Sequence, residues 1–508
     1  MADTKREIER KYEGPAAGDA AELPDLTRVP GVAAVVDKGV ADLDAVYYDT
    51  VDERLAASKL TLRRRTGGDD AGWHLKIPVS DGVRDEIHAP LSGTVPRTLS
   101  GLVRSRIRDA ELVPVVRLLS ARDVRHLVDA DGALLAEVSI DKVRAERLSG
   151  GKGTAEWTEI EVELADDGDP VFLDKVDKKL RKAGVRRSSA PSKLARALIE
   201  TAPGKRPERK KTAPPAREPA TAGDHVLAYV RAQYDAIIDL DPAVRRDVFD
   251  SVHRMRVATR RMRSAFRTHG KTLDPVVTAP LGDELKWLAG ELGVDRDQEV
   301  LTDRLTAAFD ALPRPLVVGP VRGRLRTWSN ARRGGSRRRL ISVLDGKRYL
   351  QLLGALVGLL AEPPLLDAAA GDPHKVIAKA VRKDFGKLAA LIDQALDLPP
   401  GTERDLALHE ARKKAKRARY AAESATPALG RPAEELMRSM KAVQTLLGDH
   451  QDSVMTREAL RDLATQAHAA GESAFTYGLL YGREEQAAAA AEAALPDMWA
   501  TVRQRDAV

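Results

Sequence analysis

The sequence predicts two folds in one chain: an α+β module with a closed antiparallel barrel over residues 1–200, and an all-α, duplicated helical bundle over residues 223–508. Three observations carry this. Through the first 200 residues apolar and ionised side chains alternate with the period of two that marks a strand with one charged face. From about residue 224 helical spacing replaces it. Within the helical part, VHRMRVATRRMRSAFR is echoed by LHEARKKAKRARYAAE, and in each a histidine is followed by cations at +3, +7 and +8.

At 508 residues the chain is too long for one core, and two or three domains are expected. Hydrophobic residues make up 43% but aromatics only 4%, so Ala, Leu and Val must do most of the packing. Lys and Arg number 83 against 76 acids, so where the charge is concentrated matters more than the net +7. There is no cysteine, which excludes disulfides, thiolate metal sites and a Cys nucleophile. The N-terminus MADTKREIERKYE has no apolar core of a targeting segment. The longest apolar run, near Tyr349 to Leu360, is broken by Gln351 and two glycines and is too short for a bilayer. A soluble cytoplasmic protein with no membrane partner is expected.

In the first module Glu7, Glu9 and Lys11 point one way on an extended strand. The pattern recurs with Thr61, Arg63 and Arg65; with His74 and Lys76; with Arg84 and Glu86; with Glu137 and Asp141; and with Glu159, Glu161 and Glu163. Helical patterns occur near 96–106, 172–183 and 192–200. A charged strand face also reads as the wet side of an open antiparallel sheet. Against that, Glu-x-Glu occurs twice on one face, and like charges side by side repel unless a cation stands between them. Carboxylate strands beside Arg/Lys strands suggest a closed, polar-lined barrel. Oxygen ligands suit Mg²⁺ or Mn²⁺, and guanidinium and ammonium groups match phosphoryl oxygens. The combination reads as a site for a metal-bound polyanion.

These residues resemble the CYTH, or triphosphate tunnel metalloenzyme, superfamily. Glu7-Ile-Glu-Arg-Lys11 fits its ExExK signature, followed in order by Tyr47-Tyr-Asp-Thr50, Leu62-Arg-Arg-Arg65, Lys76, Arg84 with Glu86, Arg117 and Arg122, Glu137 with Asp141, Trp157-Thr-Glu159-Ile-Glu161 and Ser192-Lys193. The resemblance implies an eight-stranded tunnel that hydrolyses triphosphates with Mg²⁺ or Mn²⁺. It implies that Glu7, Glu9, Lys11, Lys76 and Glu161 carry the catalysis. The ions would be held by Glu7, Glu9, Glu86, Glu137, Asp141, Glu159 and Glu161, and the phosphates by Arg63, Arg65, Arg84, Arg117, Arg122 and Lys193.

Residues 201–222 hold five prolines and a basic cluster without periodic apolar positions, which reads as a stiff, charged linker. Beyond it, helices are expected near 224–239, 242–268, 277–292, 296–311, 318–344, 347–360, 373–396, 402–426, 431–447, 451–469 and 473–494. At 100° per residue His253, Arg256, Arg260 and Arg263 form one stripe, and His409, Arg412, Lys416 and Arg419 another. Met255, Ala258, Met262, Ala265 and Phe266 back the first, and Ala407, Ala411, Ala415, Ala418 and Ala422 the second. Leu292-Gly293 with Asp297 is repeated by Leu447-Gly448 with Asp452, at nearly constant distance from each histidine, so the module is a duplication. A cationic stripe cannot be buried unpaired, so a polyanion or internal acids must meet it. Metal ligation by His253 or His409 is disfavoured by their cationic neighbours.

The two stripes, with Leu292-Gly-Val-Asp-Arg-Asp297 and Leu447-Gly-Asp-His450-Gln-Asp452, resemble the CHAD (conserved histidine α-helical) domain. That resemblance implies inorganic polyphosphate as partner, association with polyphosphate granules, and binding through His253, Arg256, Arg260, Arg261, Arg263, His409, Arg412, Lys413, Lys416 and Arg417. The expectation is therefore hydrolysis of a triphosphate, foremost inorganic triphosphate, coupled to polyphosphate binding. The alternatives are a non-catalytic polyphosphate adaptor, or an adenylate cyclase or organic triphosphatase on the same barrel. Nucleic acid is not expected, because the basic helices carry few aromatics for stacking.

Overall fold

A computed structural model of the chain describes residues 3–14, 23–202, 218–332 and 336–505, the side chains of 3, 294–297, 299, 332, 336 and 505 excepted. It divides into two compact units, Met1–Pro214 and Pro215–Val508. Most of the expected linker, 203–217, lies outside the described residues.

In the first unit, eight strands close into an antiparallel barrel: β1 (Asp3–Glu13), β2 (Ala34–Asp49), β3 (Thr61–Thr66), β4 (Gly72–Ser80), β5 (Val83–Ala89), β6 (Val113–Val128), β7 (Leu134–Arg147) and β8 (Thr154–Leu164). Their order around the barrel is β1-β5-β4-β3-β2-β6-β7-β8. Four helices accompany them: α1 (Arg54–Ala57), α2 (Arg97–Ile107), α3 (Val171–Lys182) and α4 (Lys193–Glu200).

Register fixes which side chains meet inside. Residues opposite each other on paired strands share a face. Lys11 is opposite Glu161, Glu9 opposite Glu163, Glu7 opposite Arg84 and Lys5 opposite Glu86. The same face continues through Glu86–Lys76, His74–Arg63 and Arg63–Tyr47, and through Glu159–Asp141 and Asp141–Arg122. The other face carries apolar clusters that helices cover. Leu62, Trp73, Leu75 and Ile87 pack with α2, and Val138, Ile140, Ile160 and Val162 with α3. Helix α4 packs on Ala45, Leu118, Val143, Ala145 and Trp157, which share the inner face of the barrel. Ser192 caps α4 by accepting from the Ala195 N–H at 3.1 Å, which sets Lys193 at its first turn.

The second unit is all-α: α5 (Ala222–Arg246), α6 (Ser251–Thr268), α7 (Pro275–Glu291), α8 (Val294–Asp310), α9 (Val321–Arg332), α10 (Ser336–Asp345), α11 (Lys347–Ala361), α12 (Pro373–Asp397), α13 (Thr402–Leu429), α14 (Arg431–Ala469) and α15 (Phe475–Arg505). Thr221 and Asp224 form the capping box that starts α5. The predicted apolar backs are core: Met255, Ala258, Met262, Ala265 and Phe266 are buried in one cluster, and Ala411, Ala415 and Ala418 in a second.

Three helix boundaries differ from expectation. The helix expected over 242–268 is divided, because Asp247 and Asp250 adopt left-handed backbone angles (φ +63° and +61°) between α5 and α6, while Pro242 stays inside α5. Over the helix expected at 318–344 the described residues form α9 and α10, and 333–335 lie outside the described residues. The pair expected at 431–447 and 451–469 is one 39-residue helix, so Gly448 is not a break.

Candidate functional site

One cavity of about 490 Å³ runs inside the barrel. Glu7, Glu9, Lys11, Arg63, Arg65, Lys76, Arg84, Glu86, Arg122, Glu137, Glu161 and Lys193 line it. Acids and bases interleave. Lys76 Nζ lies 2.6 Å from Glu7 and 3.7 Å from Glu86, Lys11 joins Glu9 (3.2 Å) to Glu161, and Arg122 grips Asp141 with two bonds of 2.8 and 2.9 Å. Lys193 stands among Asp141 (3.0 Å), Glu159 (2.9 Å) and Glu161 (2.6 Å).

The electrostatics follow from burial and these neighbours. Burial pushes Glu7 up to about 7 against the pull of Lys76, helped by its hydrogen bond to Glu86. Burial would raise Glu86 as well, but Lys76, His74 and Arg63 outweigh it and hold it below the carboxylate range. Burial is likewise outweighed at Glu161 by Lys11, Lys193 and Arg122. Lys193 and Arg122 are correspondingly raised despite burial, Lys193 by Asp141, Glu159 and Glu161, Arg122 by Asp141 and Glu161. Such pairing keeps these groups charged although they are buried.

A divalent ion fits the donor set. Asp141, Glu159 and Glu161 offer oxygens all within 4.8 Å of one another; Glu161 lines the cavity with Glu7, Glu9, Glu86 and Glu137, whereas Asp141 and Glu159 are buried around Lys193 and are not among its lining residues. Hard oxygen donors of this kind are those that Mg²⁺ and Mn²⁺ take.

Arg117 is not in the tunnel. It is opposite Val46 and Glu146, on the outer face, and holds Asp44 with bonds of 3.0 and 2.6 Å. Arg117 and Arg122 are five apart on one strand, so the pleat turns them to opposite faces. Residues that the candidate set omitted also line the cavity: Lys5, Tyr47, Thr61, Asp69, Asp70, His74, His88, Glu163 and Ser192. Most were legible by parity with their strand neighbours; Asp69 and Asp70, carried by a turn, were not.

In the helical unit a second cavity, about 580 Å³, brings together His253, Arg256 and Arg260 of α6 with His409, Arg412, Lys416 and Arg419 of α13. These are the histidine, +3 and +7 positions of both repeats, with the +10 position of the second. Burial, then Arg412, Arg260 and Arg256, bring Lys416 down to about 8, against Asp452. His409 Nδ1 lies 2.5 Å from Gln451 Oε1, and Arg412 reaches Asp452 at 3.3 Å. The repeated Leu-Gly pair now has a reason. A Cβ on Gly293 would lie 2.7 Å from the Arg256 guanidinium carbon, and one on Gly448 3.3 Å from Arg412 Nη2. Each glycine is the berth of the +3 arginine of its own repeat.

Four expected residues lie elsewhere. The +8 cations are met by internal acids, Arg261 by Glu423 at 2.8 Å and Arg417 by Asp384 at 2.8 Å. Lys413 pairs with Glu410 on the exposed side of α13, and Arg263 faces Gly282 of α7. Asp297 lies outside the described side chains. Arg304 and Gln444 join the basin although nothing in their sequence context marks them, whereas Gln451 sits within the Gly448–Asp452 motif itself.

Family comparisons agree with this division. A CYTH domain model matches residues 5–198 and a CHAD domain model residues 228–461. The chain is a CYTH–CHAD protein. The uncharacterized protein Rv2226 of Mycobacterium tuberculosis is 39% identical over 493 residues, covering 94% of this chain and 92% of the relative. Among solved structures, PptA from Streptomyces chartreusis aligns with a TM-score of 0.47 at 21% identity, over 55% of this chain and 99% of that one. The CHAD domain from the plant Ricinus communis aligns with a TM-score of 0.41 at 21% identity, over 56% of this chain and 93% of that one. CYTH domains are triphosphatases or cyclases and depend on divalent metals, and CHAD domains are associated with polyphosphate. Among the described residues of this CYTH–CHAD protein, no helix is long and apolar enough to cross a membrane.

Proposed function

We propose that the tunnel hydrolyses a triphosphate, foremost inorganic triphosphate, with Mg²⁺ or Mn²⁺, and that the basin of the helical unit binds inorganic polyphosphate. The observation that carries the first half is the alternation of carboxylates and cations around one cavity in the barrel. Phosphoanhydride hydrolysis asks of a protein mainly positioning and neutralisation of charge.

In this reading Glu7, Glu9, Asp141, Glu159 and Glu161 hold the divalent ion, with Glu86 and Glu137 alongside. Bound there, the ion supplies charge neutralisation and a water of lowered pKa. Arg63, Arg65, Lys76, Arg84, Arg122 and Lys193 orient the phosphoryl groups and balance the charge on the leaving phosphate.

The second half rests on the two stripes turning their histidine, +3 and +7 side chains into one basin. Linking this basin to the tunnel in one chain raises the effective concentration of phosphate polymers for both. The test is phosphate release by the full chain from inorganic triphosphate, longer polyphosphate and ATP. Metal-dependent release that is lost in Glu7→Ala supports hydrolysis. Absence of release alongside intact polyphosphate binding supports an adaptor, and cyclic product from ATP a cyclase.

A further inference from the structure

Among the acids that line the tunnel, Asp69 and Asp70 alone hang from a turn, the hairpin between β3 and β4. Gly67 and Gly68 shape this turn with left-handed φ angles of +83° and +69°, and a side chain at Gly67 would collide with the Asp42 carbonyl. Both aspartates are exposed, so they mark an edge of the cavity that is open to solvent.

Asp70 pairs with Arg65, whose side chain is only 6% exposed, and among the described residues this is the one ion pair that Arg65 makes. The other tunnel cations are matched by carboxylates rooted in strands: Lys76 by Glu7, Arg122 by Asp141, Lys193 by Glu159. Arg65 is the exception. Burial, then Arg63 and Arg122, pull its guanidinium down to about 9, against Glu86 and Tyr47. Among the described residues the hairpin has one other side-chain tie to the wall, the Asp70 carbonyl 2.9 Å from His74 Nε2. Burial holds His74 near 4, so the ring is neutral and donates either to that carbonyl or to Glu86, 3.1 Å from its Nδ1. An exposed carboxylate on a lightly tethered turn thus occupies a buried guanidinium.

We propose that Asp70 determines ligand length in the tunnel: its carboxylate holds the seat on Arg65 that a phosphoryl group must take, and with Asp69 it sets a negative edge beyond that seat. A short chain ending at Arg65 displaces one carboxylate. A longer chain must also run out past both. The inference rests on the triphosphate reading above.

The test compares inorganic triphosphate with longer inorganic chains of defined length as substrates of the full protein with Mg²⁺ or Mn²⁺. In Asp70→Asn the KM for triphosphate is expected to fall about fivefold, the scale of one partly exposed ion pair, with a larger fall for longer chains. Asp70→Glu keeps the wild-type preference, and in an Arg65→Ala background Asp70→Asn no longer changes the KM for triphosphate. An unchanged or higher KM in Asp70→Asn, or an equal gain at every length, overturns the proposal. If the wild type releases no phosphate from triphosphate, the hydrolytic reading fails by itself. Asp70 is then judged by calorimetric titration of the full chain with inorganic triphosphate, the tunnel contribution being the part that Arg65→Ala removes. Tighter tunnel binding in Asp70→Asn supports the proposal, and unchanged or weaker binding overturns it.

Discussion

Lys193 Nζ lies 2.6 Å from Glu161 Oε2, carried there by the first turn of α4, the helix that packs on the inner face of the barrel. Since Asp141 and Glu159 are within 3.0 Å of the same ammonium, Lys193 is the counter-ion of a three-carboxylate cluster. Removing it leaves buried negative charge with one cation fewer, a change that costs about 3–5 kcal/mol when a buried pair is broken. Lys193→Met is expected to lower the thermal midpoint in EDTA and to recover much of the loss with Mn²⁺ or Mg²⁺. A calorimetric scan with and without metal checks this; equal loss in both conditions contradicts it.

Glu7 gives the tunnel a pH dependence of defined sign. Its folded-state pKa, about 7, lies above the ordinary 4.5, so the folded chain binds the proton more tightly than the unfolded chain. The stability that this group contributes is present below pH 4.5 and declines as pH rises to about 7, by roughly 3 kcal/mol at most, then levels off. Metal binding needs the deprotonated carboxylate, so Mn²⁺ affinity should climb over the same window. Denaturant unfolding in EDTA from pH 4.5 to 8 reads the first effect, and Glu7→Gln should flatten it.

In the basin, Lys416 is lowered to about 8 by burial and by Arg412, Arg260 and Arg256. A polyanion entering the basin reverses the repulsion and draws a proton onto Lys416. Polyphosphate affinity should therefore fall as pH rises above about 8, with proton uptake on binding near that pH. Calorimetry in buffers of different ionisation enthalpy measures the uptake, which Lys416→Met abolishes. Binding should also weaken steeply with added salt, as for any phosphate polymer held by several cations.

Arg117 and Arg122 make a paired control. Arg122 touches Asp141 and Glu161 inside the tunnel, whereas Arg117 holds Asp44 outside it. Arg122→Ala should cut kcat/KM for triphosphate about a hundredfold, the scale seen when a charged donor to a developing anion is lost. Arg117→Ala should leave the Michaelis constant where it is. Equal effects of the two substitutions would mean that the barrel register is not the one described.

Much of this was readable before the fold, for a physical reason: a strand has a period of two, so the ExExK residues and their counterparts had to share a face. The same rule would have excluded Arg117 once Arg122 was placed inside, but only with both on one uninterrupted strand. Register between strands is not written in either strand alone, which is why Arg65 could be named and its partner Asp70, on a turn, could not. The helical stripes were legible through 100° spacing, yet spacing does not tell which cations meet acids from other helices. Arg261 and Arg417 sit one residue round from Arg260 and Lys416, and that single step turns them toward Glu423 and Asp384. Gly448 read as a helix boundary because glycine commonly ends helices; inside a helix packed on its neighbours, the cost of a missing side chain is about 1 kcal/mol and is borne.

Gly293 and Gly448 each lie under the arginine three residues after their repeat's histidine. A methyl group added at Gly293 carries no charge, yet it would overlap the Arg256 guanidinium and make it move, whereas at Gly448 the Arg412 guanidinium need give only slightly. Gly293→Ala is therefore expected to weaken binding of the proposed polyphosphate ligand more than Gly448→Ala, an effect exerted by residues that do not themselves line the basin.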